Sequence, residues 1–110
     1  MLNQRLICYQ LAMSMAKAMP SLISFWPRGY YYLSDQIKRA ISSVVLNIAE
    51  GNSRTSLLER KRFFTIARAS SSEVSSILDI ALAYNLVDQS KFSYYQDILL
   101  QIYKILYKLR

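Results

Sequence analysis

The sequence predicts an all-α protein, an antiparallel up-down-up-down four-helix bundle. Three observations carry this. Only two glycines and two prolines occur in 110 residues, while 53% of the residues are hydrophobic. That composition disfavours disorder and loop-rich β folds. Apolar residues recur at alternating steps of three and four in four separate stretches. The breaks between them are short and carry turn or cap residues. Residues 1–110 therefore read as one domain, large enough for a core without metal or disulfide support.

The first helix is expected from Leu2 to about Phe25. Leu2, Leu6, Tyr9, Met13, Ala16 and Ile23 form its stripe, with Pro20 on the same stripe predicting a kink or a break. Met13, Met15 and Met19 read as core fillers. Arg5 followed by an apolar run loosely mimics a signal peptide. Gln10 and Ser14 interrupt the run and Lys17 spoils the cleavage triplet, so no leader is expected. No apolar run reaches the roughly 20 residues of a membrane span.

Residues 26–33 contain Pro27 and Gly29 and read as a loop. Trp26, Tyr30, Tyr31 and Tyr32 are expected to staple it over the bundle end and to meet a neighbouring subunit; base stacking is the alternative. Ser34 is the expected N-cap of the second helix, with Asp35 on the positive end of its dipole. Ile37, Ile41, Val44, Val45 and Ile48 make its core face. Arg39, Ser43, Leu46, Asn47 and Glu50 make a second, semi-polar face. The helix is expected to end at Glu50-Gly51, glycine supplying a left-handed residue.

After the polar loop Asn52–Thr55, Ser56 and Glu59 form a capping box that starts the third helix. Phe63 or Phe64, Ala67, Ser70, Val74, Ile77, Ala81 and Tyr84 follow core spacing. The small-sided run 67–76 predicts close approach of another backbone rather than a linker, because the apolar stripe continues in phase beyond it. Asp88 or Ser90 caps the last helix, whose seam is Phe92, Tyr95, Leu99, Ile102, Leu106 and Leu109. Tyr94, Tyr103 and Tyr107 lie off this seam, either as a second contact face or packed against the first helix.

Little in the sequence suggests catalysis. There is no histidine, no phosphate-binding glycine loop and no ligand pattern for a cofactor or metal, so the chain is read as a non-enzyme. Cys8 stands alone, which fits a reducing, cytoplasmic setting and a core position. The net charge of +7, from 14 basic against 7 acidic residues, implies a polyanion as partner, nucleic acid before membrane. A basic surface with no anionic partner is the alternative. The candidate phosphate contacts are Lys38, Arg39, Arg54, Arg60, Lys61, Arg62 and Arg68, on two helices and their loop, where they can share one end of the molecule. Arg39 and Arg68 have a structural alternative, as ion pairs with Glu50 or Glu73.

The segments Gln36-Ile37-Lys38-Arg39-Ala40, Asn47-Ile48-Ala49-Glu50-Gly51, and Ile66-Ala67-Arg68 with Ser70 and Glu73 resemble the four helix bundle protein family, also called the ribosomal intervening-sequence or S23 family. Ala16-Lys17-Ala18 and Phe25-Trp26-Pro27 extend the likeness over essentially the whole chain. Met15 stands where a tryptophan is common, and Asn52 and Arg54 where Gly-Arg is frequent. The resemblance implies a ring-shaped homopentamer with Asn47, Glu50 and Gly51 as architecture. It implies RNA as partner, through the seven basic residues above. Some members are encoded within intervening sequences of large-subunit ribosomal RNA genes. A related branch is the accessory protein of diversity-generating retroelements, which also binds the element's reverse transcriptase.

Overall fold

The structure, a computed structural model, describes residues 2–109; the Leu2 side chain and its expected place in the first stripe lie outside the described residues. Four helices follow one another: α1 (Leu2–Ile23), α2 (Tyr31–Ser53), α3 (Leu57–Ala83) and α4 (Gln89–Leu109), with a 3-10 turn at Arg28–Tyr30. Each packs on two others: α1 on α2 and α4, α3 on α2 and α4. With connections this short, consecutive helices run antiparallel and form a four-helix bundle about 44 Å long.

The α1 stripe is turned by one residue from the expected one. Cys8, Ala12, Met15, Met19, Leu22 and Trp26 are buried, while Leu6 and Met13 are exposed and Tyr9, Ala16 and Ile23 half-buried. Two apolar three-four stripes one position apart run along the first half of the helix, and the buried one is that opposite the exposed polar row Asn3, Gln10, Ser14, Lys17 and Ser21. Packing selects the one that places small Cys8 and Ala12 against the neighbours. Cys8 Sγ sits 3.9 Å from the Ile102 carbonyl of α4. Pro20 neither breaks the helix nor faces the core; it is exposed on the outer side, where water can take the carbonyl it frees. By length and composition Asn3–Ile23 does pass for a membrane span, contrary to the expectation from the sequence; here one face of that helix is core.

Burial pushes the Cys8 thiol from its ordinary value of 9.0 up to about 12. The unfolded thiol ionises first, so this group's stabilisation is complete below about pH 9 and is lost as pH rises toward 12. Native Cys8 is therefore expected to be silent toward Ellman's reagent at pH 8 and to react at once in guanidinium. Immediate native-state reaction would contradict this burial.

α2 begins at Tyr31, three residues before Ser34. Pro27 (φ −59°) opens the 3-10 turn, Tyr30 N–H donates to the Pro27 carbonyl at 2.9 Å, and the turn runs straight into α2. Ser34 is thus a buried residue of the first turns rather than the cap. Ile37, Ile41, Val44 and Ile48 are core as expected, joined by Leu33 and Ala40, with Val45 half-buried.

The α2 terminus differs from the expected left-handed glycine. Gly51 lies inside the helix, which runs on to Ser53, and its φ is not positive. Glycine is required for a different reason: a Cβ there would fall 2.7 Å from Phe64 Cδ1 of α3. The bare backbone lets α2 and α3 close on the Phe64 ring, which is 1% exposed. Ser56 caps α3, its hydroxyl accepting from Glu59 N–H at 3.4 Å. The carboxylate of Glu59 turns instead toward Arg54, 3.9 Å from Nη1.

The serine run is helix throughout and sits between both neighbours. Ser70 shares a 2.8 Å hydrogen bond with Ser43 of α2, and Asn47 Nδ2 donates to the Ser43 carbonyl at 2.8 Å. On the other side Ser75 donates to Gln96 of α4 at 2.7 Å, and Gln96 Nε2 donates back to the Ser75 carbonyl at 3.0 Å. In this run Ser71, not Ser70, faces the core, together with Phe64, Ala67, Val74, Ile77, Leu78 and Ala81; Tyr84 is exposed. α3 ends at Ala83, and two residues on lies Asn85, the one non-glycine residue with positive φ (60°) among those described. Leu86 N–H donates to the Ala81 carbonyl at 2.8 Å and Asn85 N–H to the Leu82 carbonyl at 3.0 Å, a Schellman motif with asparagine in the left-handed place. Asp88 caps α4 by accepting from Lys91 N–H at 2.8 Å.

Candidate nucleic-acid interface

The seven expected cations do not gather at one end. Lys38 and Arg39 lie about 15 residues before the α2 terminus, which at 1.5 Å per residue is roughly 22 Å away along the helix. Arg39 pairs with Asp35 at 2.8 Å, one helical turn back, and not with Glu50. Arg54, Arg60, Lys61 and Arg62 do cluster around the α2–α3 turn, but two of them are occupied. Arg54 Nη2 donates to Glu50 at 2.8 Å, its guanidinium lies 5.0 Å from the Phe63 ring centre, and its carbonyl accepts from Arg60 Nε at 2.6 Å. Arg54 and Arg60 thus brace the turn. Lys61 is exposed, as is Arg62, which covers Phe63 at 5.2 Å. Arg68 does not pair with Glu73, which accepts from Gln36 at 3.3 Å. It lies over two tyrosines of α4, 5.9 Å from Tyr103 and 5.1 Å from Tyr107.

That contact exposes what the sequence reading missed. α4 runs antiparallel to α3, so its last turns lie beside the first half of α3. Lys104 and Lys108, one turn apart and exposed, join Lys61, Arg62 and Arg68 on this half of the bundle. Arg5, at the start of α1, is there too, as the Cys8–Ile102 contact requires. The signal was available as Tyr103-Lys104 repeated at Tyr107-Lys108, a four-residue spacing that puts like residues on one helix face.

Sorting charges by helix position gives the main electrostatic fact. Among the described residues, the half holding the α2–α3 turn carries Arg5, Arg54, Arg60, Lys61, Arg62, Arg68, Lys104 and Lys108 against only Glu50 and Glu59. The other half carries Lys17, Arg28, Lys38, Arg39 and Lys91 against Asp35, Glu73, Asp79, Asp88 and Asp97, and is balanced. The excess of positive charge among the described residues therefore occupies one half. Among the described residues Glu50 and Glu59 both pair with Arg54. Surface pairs of this kind contribute little to stability, so their main effect is to fix the turn. Among the described residues no cluster of three or more histidine, cysteine or acidic side chains could hold a metal.

Fold and surface together define a class: a small, basic helical bundle whose excess of positive charge lies in one half. Within that class the chain belongs to the 23S rRNA-intervening sequence protein family, whose model matches residues 4–108. Its fold is similar to that of a crystallised protein of unknown function from the S23 ribosomal protein family of Bacteroides thetaiotaomicron VPI-5482. The TM-score is 0.87 at 18% identity, over 96% of each chain. At that identity the likeness shows the fold alone. A search of curated proteins finds no match.

Proposed function

We propose that this protein is a non-catalytic RNA-binding accessory factor that works in the cytoplasm as a ring-shaped homopentamer. Its proposed clients are the reverse transcriptase and template RNA of a diversity-generating retroelement. The observation that carries the RNA reading is the one-sided charge. A half-bundle with eight cations against two carboxylates focuses a positive field where an RNA backbone can lie, and that field needs no particular base sequence. Self-assembly is supported by large apolar side chains left outside the core: Leu46 is 63% exposed, Leu57 76% and Leu58 78%. The retroelement client rests on the resemblance of the Gln36–Ala40 and Asn47–Gly51 segments. The family description names 23S rRNA, and the second proposed client is RNA from a ribosomal locus.

The test begins with purified full-length protein. Sedimentation equilibrium is expected to give about five times the 12.8 kDa chain mass. Fluorescence anisotropy with a labelled RNA should show affinity falling steeply with salt. Six to eight phosphate contacts on a single strand predict a log–log slope of about −4 to −6. Absence of RNA binding at 0.1 M salt would overturn the RNA reading, and a monomer the ring. Sequencing RNA that copurifies from the native host decides between the two clients.

A further inference from the structure

The outer face at the end of α4 has a feature that phosphate binding alone does not use. Tyr103 and Tyr107 are 39% and 48% exposed, and Arg68 of α3 lies over both rings. A shallow groove of about 310 Å³ is lined by Tyr103, Lys104, Tyr107 and Lys108, and Arg68 is not part of its wall. The guanidinium therefore steadies the two rings from the α3 side, while the groove uses them from another. Rings held in place in advance lose little freedom when something flat lies against them. Their four-residue spacing sets them about 6 Å apart along the helix axis, nearly twice the 3.4 Å rise of stacked bases. Two consecutive bases can each meet one ring only if the strand is unstacked. Lys104 and Lys108 follow the same period and flank the rings, where they can meet the intervening phosphates.

Building on the RNA-binding reading, we propose that this groove takes an unpaired RNA strand. Neighbouring bases lie on Tyr103 and Tyr107, and Lys104 and Lys108 hold the backbone between them. Duplex RNA cannot stack on the rings, since its base faces are covered inside the helix and it presents only backbone, 2′-hydroxyls and base edges. The basic half then binds both forms, and the tyrosine groove adds preference for the single strand.

The experiment compares a single-stranded RNA oligomer with the same sequence in a perfect duplex, by anisotropy at fixed salt, using full-length protein. The single strand is expected to bind at least ten-fold more tightly. The double variant Tyr103→Ala/Tyr107→Ala should lose that preference, weakening single-strand binding about ten-fold or more while duplex affinity stays within two-fold. Tyr103→Phe/Tyr107→Phe keeps the rings and should restore single-strand binding. Equal binding of both RNAs by the unmodified protein overturns the groove assignment and leaves the RNA reading intact; binding of neither overturns both. An alanine variant whose sedimentation mass changes, with the strand preference kept, assigns the rings to a subunit contact and also overturns it.

Discussion

Replacing Gly51 with alanine is expected to destabilise the bundle by about 2 kcal/mol, lowering Tm by roughly 10 °C. The sign is the informative part. Inside an ordinary helix, glycine to alanine stabilises by up to about 1 kcal/mol, because alanine loses less backbone freedom on folding. Gly51 is a helical residue with no left-handed geometry to protect, so propensity alone predicts a gain. Packing reverses it. The new methyl would meet the Phe64 ring at three carbon atoms, and that ring is enclosed by the core. Either the ring leaves its place or α2 and α3 move apart, and overpacking of this kind costs about 1–3 kcal/mol. Valine at the same position should cost more. Shrinking the ring with Phe64→Leu in the Gly51→Ala background should recover part of the loss. A double-mutant cycle in urea, at one protein concentration, would then show a coupling of about 1 kcal/mol or more. An alanine variant more stable than the parent would contradict the close approach.

The sequence carries most of the helices but less of their orientation. α3 and α4 are readable because their signals agree: Ser56 and Asp88 cap, and Leu99, Ile102, Leu106 and Leu109 repeat without competition. α1 is readable only from its polar side: Asn3, Gln10, Ser14, Lys17 and Ser21 share one exposed face opposite Cys8, Ala12, Met15, Met19 and Leu22, whereas the apolar residues Leu6, Tyr9 and Met13 suggest a stripe turned by one residue. Gly51 is visible as a glycine but not as a close approach, since the residue that makes it necessary, Phe64, lies in the next helix. The start of α2 was hidden by a plausible cap, Ser34, because a 3-10 turn from Pro27 can begin a helix without one. The candidate interface was half legible. Lys61 and Arg62 are open, as their positions suggest. The roles of Arg39, Arg54, Arg60 and Arg68 depend on partners in space: Asp35, the α2–α3 turn and two tyrosines. Lys104 and Lys108 enter only when α4 is folded back beside α3.

The second large effect concerns RNA. Removing Lys61, Arg62, Lys104 and Lys108 takes away four exposed cations from the basic half, with no ion pair among the described residues broken and no core residue touched. If each releases counterions on binding, the salt slope should flatten by about 3 and affinity at 0.1 M salt should fall on the order of 100-fold or more. Net charge alone would produce a weaker version of the same result, so the decisive comparison holds it constant. The quadruple alanine variant at Lys17, Arg28, Lys38 and Lys91 removes the same four charges from the balanced half. The two variants should be titrated side by side against one single-stranded RNA, after circular dichroism and sedimentation show that both keep helix content and assembly. One-sided binding predicts a collapse of affinity and slope in the first variant and a change of less than about five-fold in the second. Equal losses in both, or a larger loss in the second, would contradict it.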